Sequence, residues 1–540
     1  MGISSTSLQN NRADFPLRWT RLAATAAIAL GLSYGVAAAQ PVTFQGATFV
    51  NKGLVGVARV PSDAVDQFGE TLGGFGSSMA MDLATWHRKF DGSYAGTLYM
   101  LPDRGWNTQG TVDFRGRMHR FHVTLTPFTG ASTTAQDQLK LDYRSSTLFL
   151  QAGGVPTTGL DPTGVRPGMF GTPDLPIADN GHVPVDDEGL VHVGDGTVWV
   201  SEEYGPYIYH YAKDGQLLHV IRPPDAFIPM RHDANGNLVE NFSANSPPIG
   251  VTLNTGNPVS GRQNNQGFEG LAMSPDRNTL FVLLQSALIQ DLDATSSATI
   301  KLTRHNTRLL AYDLRHEQPK LVGEYVVQLP LYQDQTTTKP TLLTAAQSEL
   351  HALNDHQFLV LARDSTGGFA VANPGSVYRS IDLIDISKAT NIAGTDADKV
   401  GGQVAPKGVL NPAITPAAYQ PFLNINDNAQ LNRFGLHNGA PADGNDLYEK
   451  WESIAIVPTL DPKTPHDYFL FVGSDNDFIT QNGFMAGQPY KDASGFNVDT
   501  LVLVYRVTLP TYVPPRQFDL SLARILDDLD HDLEKILDRH

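Results

Sequence analysis

The sequence predicts an all-β protein: a β-propeller of six blades, within a range of five to seven, followed by a short C-terminal helix. Three observations lead there. Short runs rich in Val, Leu, Phe and Tyr alternate with clusters of Gly, Pro, Asn and Asp along most of the chain. One strand motif recurs at a long, nearly constant spacing. Helical periodicity is strong only near the end, where Leu522, Ile525, Leu526, Leu529, Leu533, Ile536 and Leu537 share one helix face.

The elements follow in chain order. Arg18 and Arg21 precede an apolar run at residues 22–36, and Ala37-Ala38-Ala39 forms a small-residue cleavage pattern. Residues 1–39 therefore read as a signal peptide, because the run is short of the ~20 residues a membrane span needs. No later stretch is long and apolar enough to span, so a soluble, exported protein is expected, periplasmic or secreted. Residues 40–515 read as the propeller and residues 516–540 as an amphipathic helix packed on it.

The recurring motif is a Glu that opens a short apolar strand. It appears in Asp187-Glu188-Gly189-Leu190-Val191, Phe268-Glu269-Gly270-Leu271-Ala272, Ser348-Glu349-Leu350-His351-Ala352 and Trp451-Glu452-Ser453-Ile454-Ala455. The intervals are 81, 80 and 103 residues, the last lengthened by a polar insertion around residues 390–446. An earlier copy begins near Gly76-Ser77-Ser78, with Ser in place of Glu. Each copy continues into a stronger strand ending in a polar cluster: Asp103-Arg104, Ser201-Glu202-Glu203, Gln285-Ser286, Arg363-Asp364 and Ser474-Asp475-Asn476-Asp477. Such spacing exceeds the ~40–50 residues of a minimal blade. Long loops, or a degenerate blade between recognisable ones, account for the excess. The strand near residues 49–60 is expected to share a blade with the one near 501–508 and so close the ring. An array of β-sandwiches is the alternative architecture.

In a propeller, equivalent positions of successive blades converge on the axis. Four Glu at one repeat position would form a ring, and like charges held that close need a cation or retained protons. Hard carboxylate oxygens suit Ca²⁺, with another divalent cation as the alternative. Glu188, Glu269, Glu349 and Glu452 are the candidate ligands, helped by Asp475 and Asn476. The competing explanation is that these Glu cap strands or pair with Arg and Lys between blades. Arg104, Arg363 and Lys450 are candidate contacts for an anionic substrate, since Arg presents a planar fork to phosphate or carboxylate. Asp103, Glu202 and Asp364 are candidate general bases.

Composition narrows the function. The chain of 540 residues is 41% hydrophobic and 18% charged, with a net charge of −17. Without residues 1–39 the charge is −19. Such acidity argues against nucleic acid as a partner. No cysteine is present, which removes disulfides, thiolate metal sites and cysteine nucleophiles. No Gly-x-Ser-x-Gly elbow, Walker loop or His-Glu-x-x-His occurs.

The order of Leu101-Pro102-Asp103-Arg104-Gly105, Asp187-Glu188-Gly189-Leu190, Val200-Ser201-Glu202-Glu203, Gly267-Phe268-Glu269-Gly270-Leu271, Leu361-Ala362-Arg363-Asp364 and Gly473-Ser474-Asp475-Asn476-Asp477-Phe478 resembles the phytase-like domain family, described as having esterase-like activity of phytase. The likeness spans roughly residues 50–508. It implies an exported propeller that hydrolyses phosphate or other esters. The Glu-Gly openings also look like those of calcium-dependent lactonase propellers. The expected protein is thus a metal-dependent hydrolase of a small anionic ester, phosphoesters first. A lactonase or carboxylesterase with the same ion, or a non-catalytic ligand-binding propeller, is the alternative.

Overall fold

A computed structural model describes residues 39–515, apart from residues 170, 253–255, 336–340 and 372–373. The leader and the C-terminal helix expected from the sequence lie outside the described residues.

Five four-stranded antiparallel blades are arranged in a ring. Blade I comprises Ser78–Arg88, Tyr94–Leu101, Arg117–Leu125 and Leu139–Leu148. Blade II comprises Asp187–His192, Val198–Glu202, Ile208–Tyr211 and Leu217–Ile221. Blade III comprises Phe268–Met273, Thr279–Leu284, Asn306–Asp313 and Lys320–Gln328. Blade IV comprises Ala346–Ala352, Gln357–Arg363, Arg379–Asp385 and Ala418–Asn424. Blade V takes Trp451–Pro458, Asp467–Ser474 and Thr500–Thr508 from one end of the chain and Ala47–Val60 from the other, with Gln40–Phe44 added outside. The first strand of each blade packs on its neighbours in the order I–II–III–IV–V–I.

The expected six blades are therefore five. Each recurrence of the motif is one blade, and the surplus residues go into connections rather than a degenerate blade. Several connections fold into two-stranded ribbons: Gly164–Arg166 with Leu175–Ile177, Met230–His232 with Leu238–Glu240, and Leu331–Asp334 with Thr341–Thr344. A ribbon has the same alternating apolar signature as a blade strand, so sequence alone does not separate them.

Apolar side chains fill the spaces between blades. Between blades V and I, Trp86 stacks on Tyr94 at 5.5 Å, and Phe469 meets Tyr94 edge-on at 4.9 Å. The Trp86 Nε1–H donates to the Pro458 carbonyl at 2.9 Å, so the ring is buried without losing its polar bond. The N-terminal strand runs antiparallel to Thr500–Thr508, from Val50 opposite Thr508 to Val60 opposite Thr500. That pairing satisfies backbone groups that an open ring would leave exposed.

Strand direction places the chemistry. The start of each innermost strand pairs with the end of the second strand: Ser78 with Leu101, Asp187 with Glu202, Phe268 with Leu284, Ala346 with Arg363 and Trp451 with Ser474. All five starts and ends therefore lie on one face of the ring.

Blade IV also carries a buried carboxyl held by neutral donors. Asp382 accepts from Ser380 Oγ, from Tyr378 Oη at 2.8 Å and from Tyr419 Oη at 2.6 Å. Burial pushes it up to about 6 against 3.8 when unfolded, the three hydroxyls offsetting only part. The folded state thus keeps a proton that the unfolded chain releases, and this site's cost is relieved as pH falls through 6 toward 4. Asp382→Asn should be more stable than wild type at pH 8 by on the order of 2 kcal/mol. That difference should shrink toward zero at pH 4.5. Urea unfolding at the two pH values measures both.

Candidate functional site: a carboxylate-lined channel mouth

The repeated Glu is a β-bulge residue. In blade II the ladder steps from Asp187 to Gly189 while the partner strand steps by one, leaving Glu188 as the extra residue. In blade V Glu452 is extra in the same way, and in blade III the register shifts across Glu269. A bulge re-aims its side chain away from the sheet face. Blade IV differs: there Ser348 occupies the bulge, and Glu349 is one position further along, paired with Leu361. Measured to the bulge residue Ser348, the second interval is 79 residues rather than 80.

Glu349 consequently has a different place. Its carboxylate accepts from Ser78 Oγ of blade I, two blades away, and from the backbone N–H of Leu350 at 2.8 Å and Leu271 at 3.3 Å. It spans the channel. Beyond it lies a cavity of about 120 Å³ to which each blade contributes an apolar residue, Met79, Leu190, Leu271, Leu350 and Ile454, with Asp82, His192, Arg277 and His351 also in its lining. The glycines after Glu188 and Glu269 permit this closure. A Cβ on Gly270 would stand 2.5 Å from the Leu350 nitrogen, and one on Gly189 would stand 2.4 Å from the Glu269 carbonyl.

On the other side of Glu349 the carboxylates gather in two groups. Asp186, Glu188 and Glu203 of blade II and its approach each offer an oxygen within 4.8 Å of the others, and all three are buried. Asp103, Asp475 and Asp477 meet the same criterion across blades I and V. The two groups have unequal cation partners. Lys450 Nζ lies 2.8 Å from Asp475, 2.9 Å from Asp477 and 3.4 Å from Asp103 and from Glu452. In the blade II group the ion pair among the described residues is that of Arg104, whose Nη1 is 3.0 Å from Asp186, and Arg262 also acts on Glu203 from a distance. Glu203 Oε1 accepts from the Gly267 N–H at 3.1 Å, whereas Glu203 Oε2 and Glu269 Oε2 are buried with no hydrogen-bond partner. Gln285 Nε2 donates to the other Glu269 oxygen.

The charge state follows. Burial, with Glu269, Asp186 and Glu203 nearby, holds the Glu188 carboxyl well above the usual carboxylate range. Burial with Asp186 pushes Glu203 up to about 8. Burial raises Asp103 to about 7, with Lys450 offsetting part of it. Glu269, Glu349 and Asp475 are likewise pushed well up by burial. Lys450 is held well above its usual value, its carboxylate neighbours outweighing burial.

The remaining candidates have other surroundings. Glu202 turns into its own loop and accepts from the N–H groups of Tyr204 (2.7 Å), Gly205 (2.6 Å) and Tyr207 (3.1 Å). Asp364 accepts from Ser376 Oγ and the Val377 N–H, both at 2.7 Å. Asn476 is used by Gly74, Phe478 and Val498. Arg363 pairs with Glu452 and bonds Ser348. Thus Arg104, Arg363 and Lys450 all face carboxylates of the protein itself.

Two residues at the mouth escaped the sequence reading, Asp186 and Glu449. Asp186 stands two residues before Glu188, as Lys450 does before Glu452, so the alternation that marked Lys450 also marks Asp186. Glu449 is pushed up to about 7 by burial and Asp477.

A family model described as phytase-like, esterase-like activity of phytase, matches residues 88–478. An uncharacterized secreted protein of Arthroderma benhamiae is 42% identical over 464 residues, covering 81% of this chain and 88% of the relative. Among solved structures, regucalcin from Agrobacterium tumefaciens, a calcium-binding protein, aligns at 11% identity and a TM-score of 0.27, covering 86% of this chain and 98% of that one. Hydrazine synthase from Kuenenia stuttgartiensis aligns at 11% identity and a TM-score of 0.24, covering 75% and 77%. At these scores the structural likenesses carry no argument.

The excess of buried carboxylates can be tested by thermal denaturation at pH 8. Glu188→Gln should raise the melting temperature of chelator-treated protein by removing a carboxyl that burial and its acidic neighbours hold well above its usual range. The difference between the two proteins should shrink as the pH is lowered toward 4.5, where the unfolded chain also holds the proton more often. Equal responses of the two proteins would contradict the placement of the excess charge.

Proposed function

The chain belongs to the phytase-like family, and on that premise we propose that it is an exported, metal-dependent hydrolase of ester bonds. A secreted relative and the leader-like residues 1–39 support export. The observation that carries the reading is the blade II group of Asp186, Glu188 and Glu203, with buried carboxylate oxygens that no hydrogen bond satisfies on Glu203 and on the neighbouring Glu269 of blade III. An all-oxygen, multiply anionic donor set fits Ca²⁺ or a similar hard cation.

Asp186, Glu188 and Glu203 would hold the ion, with Glu269 beside them. When bound, the ion supplies positive charge that polarises an ester oxygen. Asp103 is suited to take a proton, because a carboxyl pushed to about 7 is half-ionised at neutral pH. Its Oδ1 accepts from the Gly105 N–H at 3.0 Å, which fixes the side chain. Arg104 steadies Asp186 through its guanidinium at 3.0 Å and its N–H at 3.2 Å. Glu349, tied to Ser78 and to two backbone N–H groups, stands between the carboxylate mouth and the cavity beyond it, so substrate would approach from the carboxylate side. Since the three basic side chains already face carboxylates, an anionic substrate would depend on the ion for attraction. That favours a single ester group, phosphate or carboxylic, over a polyanion. The lactonase or carboxylesterase reading shares this ion and this mouth.

A panel of p-nitrophenyl phosphate, p-nitrophenyl acetate and simple lactones, assayed with and without chelator, tests the proposal. At least one ester should be turned over, activity should fall on chelation, and Ca²⁺ should restore it. Asp103→Asn should lower kcat by 10²-fold or more while leaving ion binding in place. Turnover indifferent to chelation, or none on any ester with the ion bound, would overturn it.

A further inference from the structure

The two carboxylate groups at the mouth look alike in composition and differ in one respect. The group formed by Asp103, Asp475 and Asp477 contains an ammonium. Lys450 Nζ is within hydrogen-bond distance of Asp475 Oδ2 and Asp477 Oδ1, at 2.8 and 2.9 Å, with Asp103 and Glu452 oxygens at 3.4 Å. Its side chain is 16% exposed, and Asp103 and Asp475 are buried. An ammonium offers three donors and a compact charge. Here it meets four carboxylates.

The surrounding bonds fix those oxygens around the ammonium. Asp475 Oδ1 accepts from the Asp477 N–H at 2.7 Å, and Ser77 Oγ donates to Asp475 Oδ2 at 3.2 Å. Tyr448 Oη donates to Asp477 Oδ2 at 2.6 Å, and Asn107 Nδ2 donates to Asp103 Oδ2 at 3.3 Å. The backbone assists, since the Asp475 N–H bonds the Lys450 carbonyl at 2.9 Å and ties the two strands together beside the site. The carboxylates are thus held as a cage by blades I and V independently of the lysine. A cage of this kind around a point charge is also what a divalent cation with oxygen ligands requires.

We propose that Lys450 is a built-in cation that takes the place of a second metal ion, and that removing its ammonium opens a divalent-cation site formed by Asp103, Asp475 and Asp477. The lysine is thereby a counter-ion of the mouth rather than a contact for substrate. It keeps the mouth to one exchangeable ion, the one assigned above to Asp186, Glu188 and Glu203. Only that count of one rests on the proposed function. The exchange of ammonium for metal at the other group does not.

The test is the number of Ca²⁺ ions bound per chain by wild type and by Lys450→Met, measured by calorimetric titration of chelator-treated protein and by elemental analysis after dialysis against Ca²⁺. The variant should bind one ion more than wild type, and Lys450→Met combined with Asp477→Asn should return to the wild-type count. Equal counts in wild type and Lys450→Met would overturn the proposal. The wild-type count reports separately on the blade II group: a count of zero rising to one would uphold the role of Lys450 while removing the ion from the proposed function. Should Lys450→Met fail to fold, Asp477→Asn in the otherwise native protein decides. It should leave the wild-type count and affinity unchanged within twofold, and loss of an ion on that substitution would overturn the proposal.

Discussion

Charge compensation at the channel mouth is the constraint on which the rest depends. The fold brings the starts of five strands and the ends of five more to one rim, and the sequence fills that rim with carboxyls. Buried carboxylates that close together cannot all stay ionised without help. The molecule uses three kinds of help at once. Lys450 and Arg363 neutralise carboxylates of blades V and I, Arg104 holds Asp186, and burial with neighbouring carboxylates pushes Glu188 and Glu269 well above the usual carboxylate range. At the rim, among the described residues, buried carboxylate oxygens without a hydrogen-bond partner remain on Asp187 and Glu203 of blade II, on Glu269 of blade III and on Glu452 of blade V, the last facing Lys450.

The same constraint explains the shape of the channel. Glu349 reaches across the axis to Ser78 and takes two backbone N–H groups, so a single carboxyl stands between the charged rim and the cavity behind it. The glycines that follow Glu188 and Glu269 are needed because neighbouring innermost strands approach too closely for a Cβ. The Glu-Gly pair thus combines two requirements, a side chain aimed at the mouth and a backbone thin enough to close behind it. Ring closure by Ala47–Val60 against Thr500–Thr508 holds this arrangement from outside.

Much of this was legible in the sequence. The Glu-strand motif located the first strand of four blades, and the polar clusters after the second strands located the same rim. The shared terminal blade was also legible, because two isolated strands at the chain ends needed partners. The blade number was not, since the connecting ribbons alternate apolar and polar residues as blade strands do. The slip at Glu349 was hidden because a bulge shifts register without changing composition. The pairing of Arg104, Arg363 and Lys450 was beyond sequence for another reason: their partners come from distant parts of the chain or from loops, as Asp103 meets Lys450 across 347 positions. Glu202, Asp364 and Asn476 sit in the right clusters, yet nearby N–H and hydroxyl donors occupy them. Whether a turn carboxylate caps its loop or faces the rim is decided by backbone angles that short motifs do not specify.

The central claim is that the blade II side of the mouth is a cation site. A crystal structure of the protein grown with Mn²⁺ or Ca²⁺, with anomalous scattering used to locate the ion, tests it most directly. The account predicts one anomalous peak coordinated by Asp186, Glu188 and Glu203 oxygens, at about 2.1–2.6 Å depending on the metal. A mouth with no peak, whose carboxyls are instead joined to one another or to basic side chains by hydrogen bonds, would contradict it.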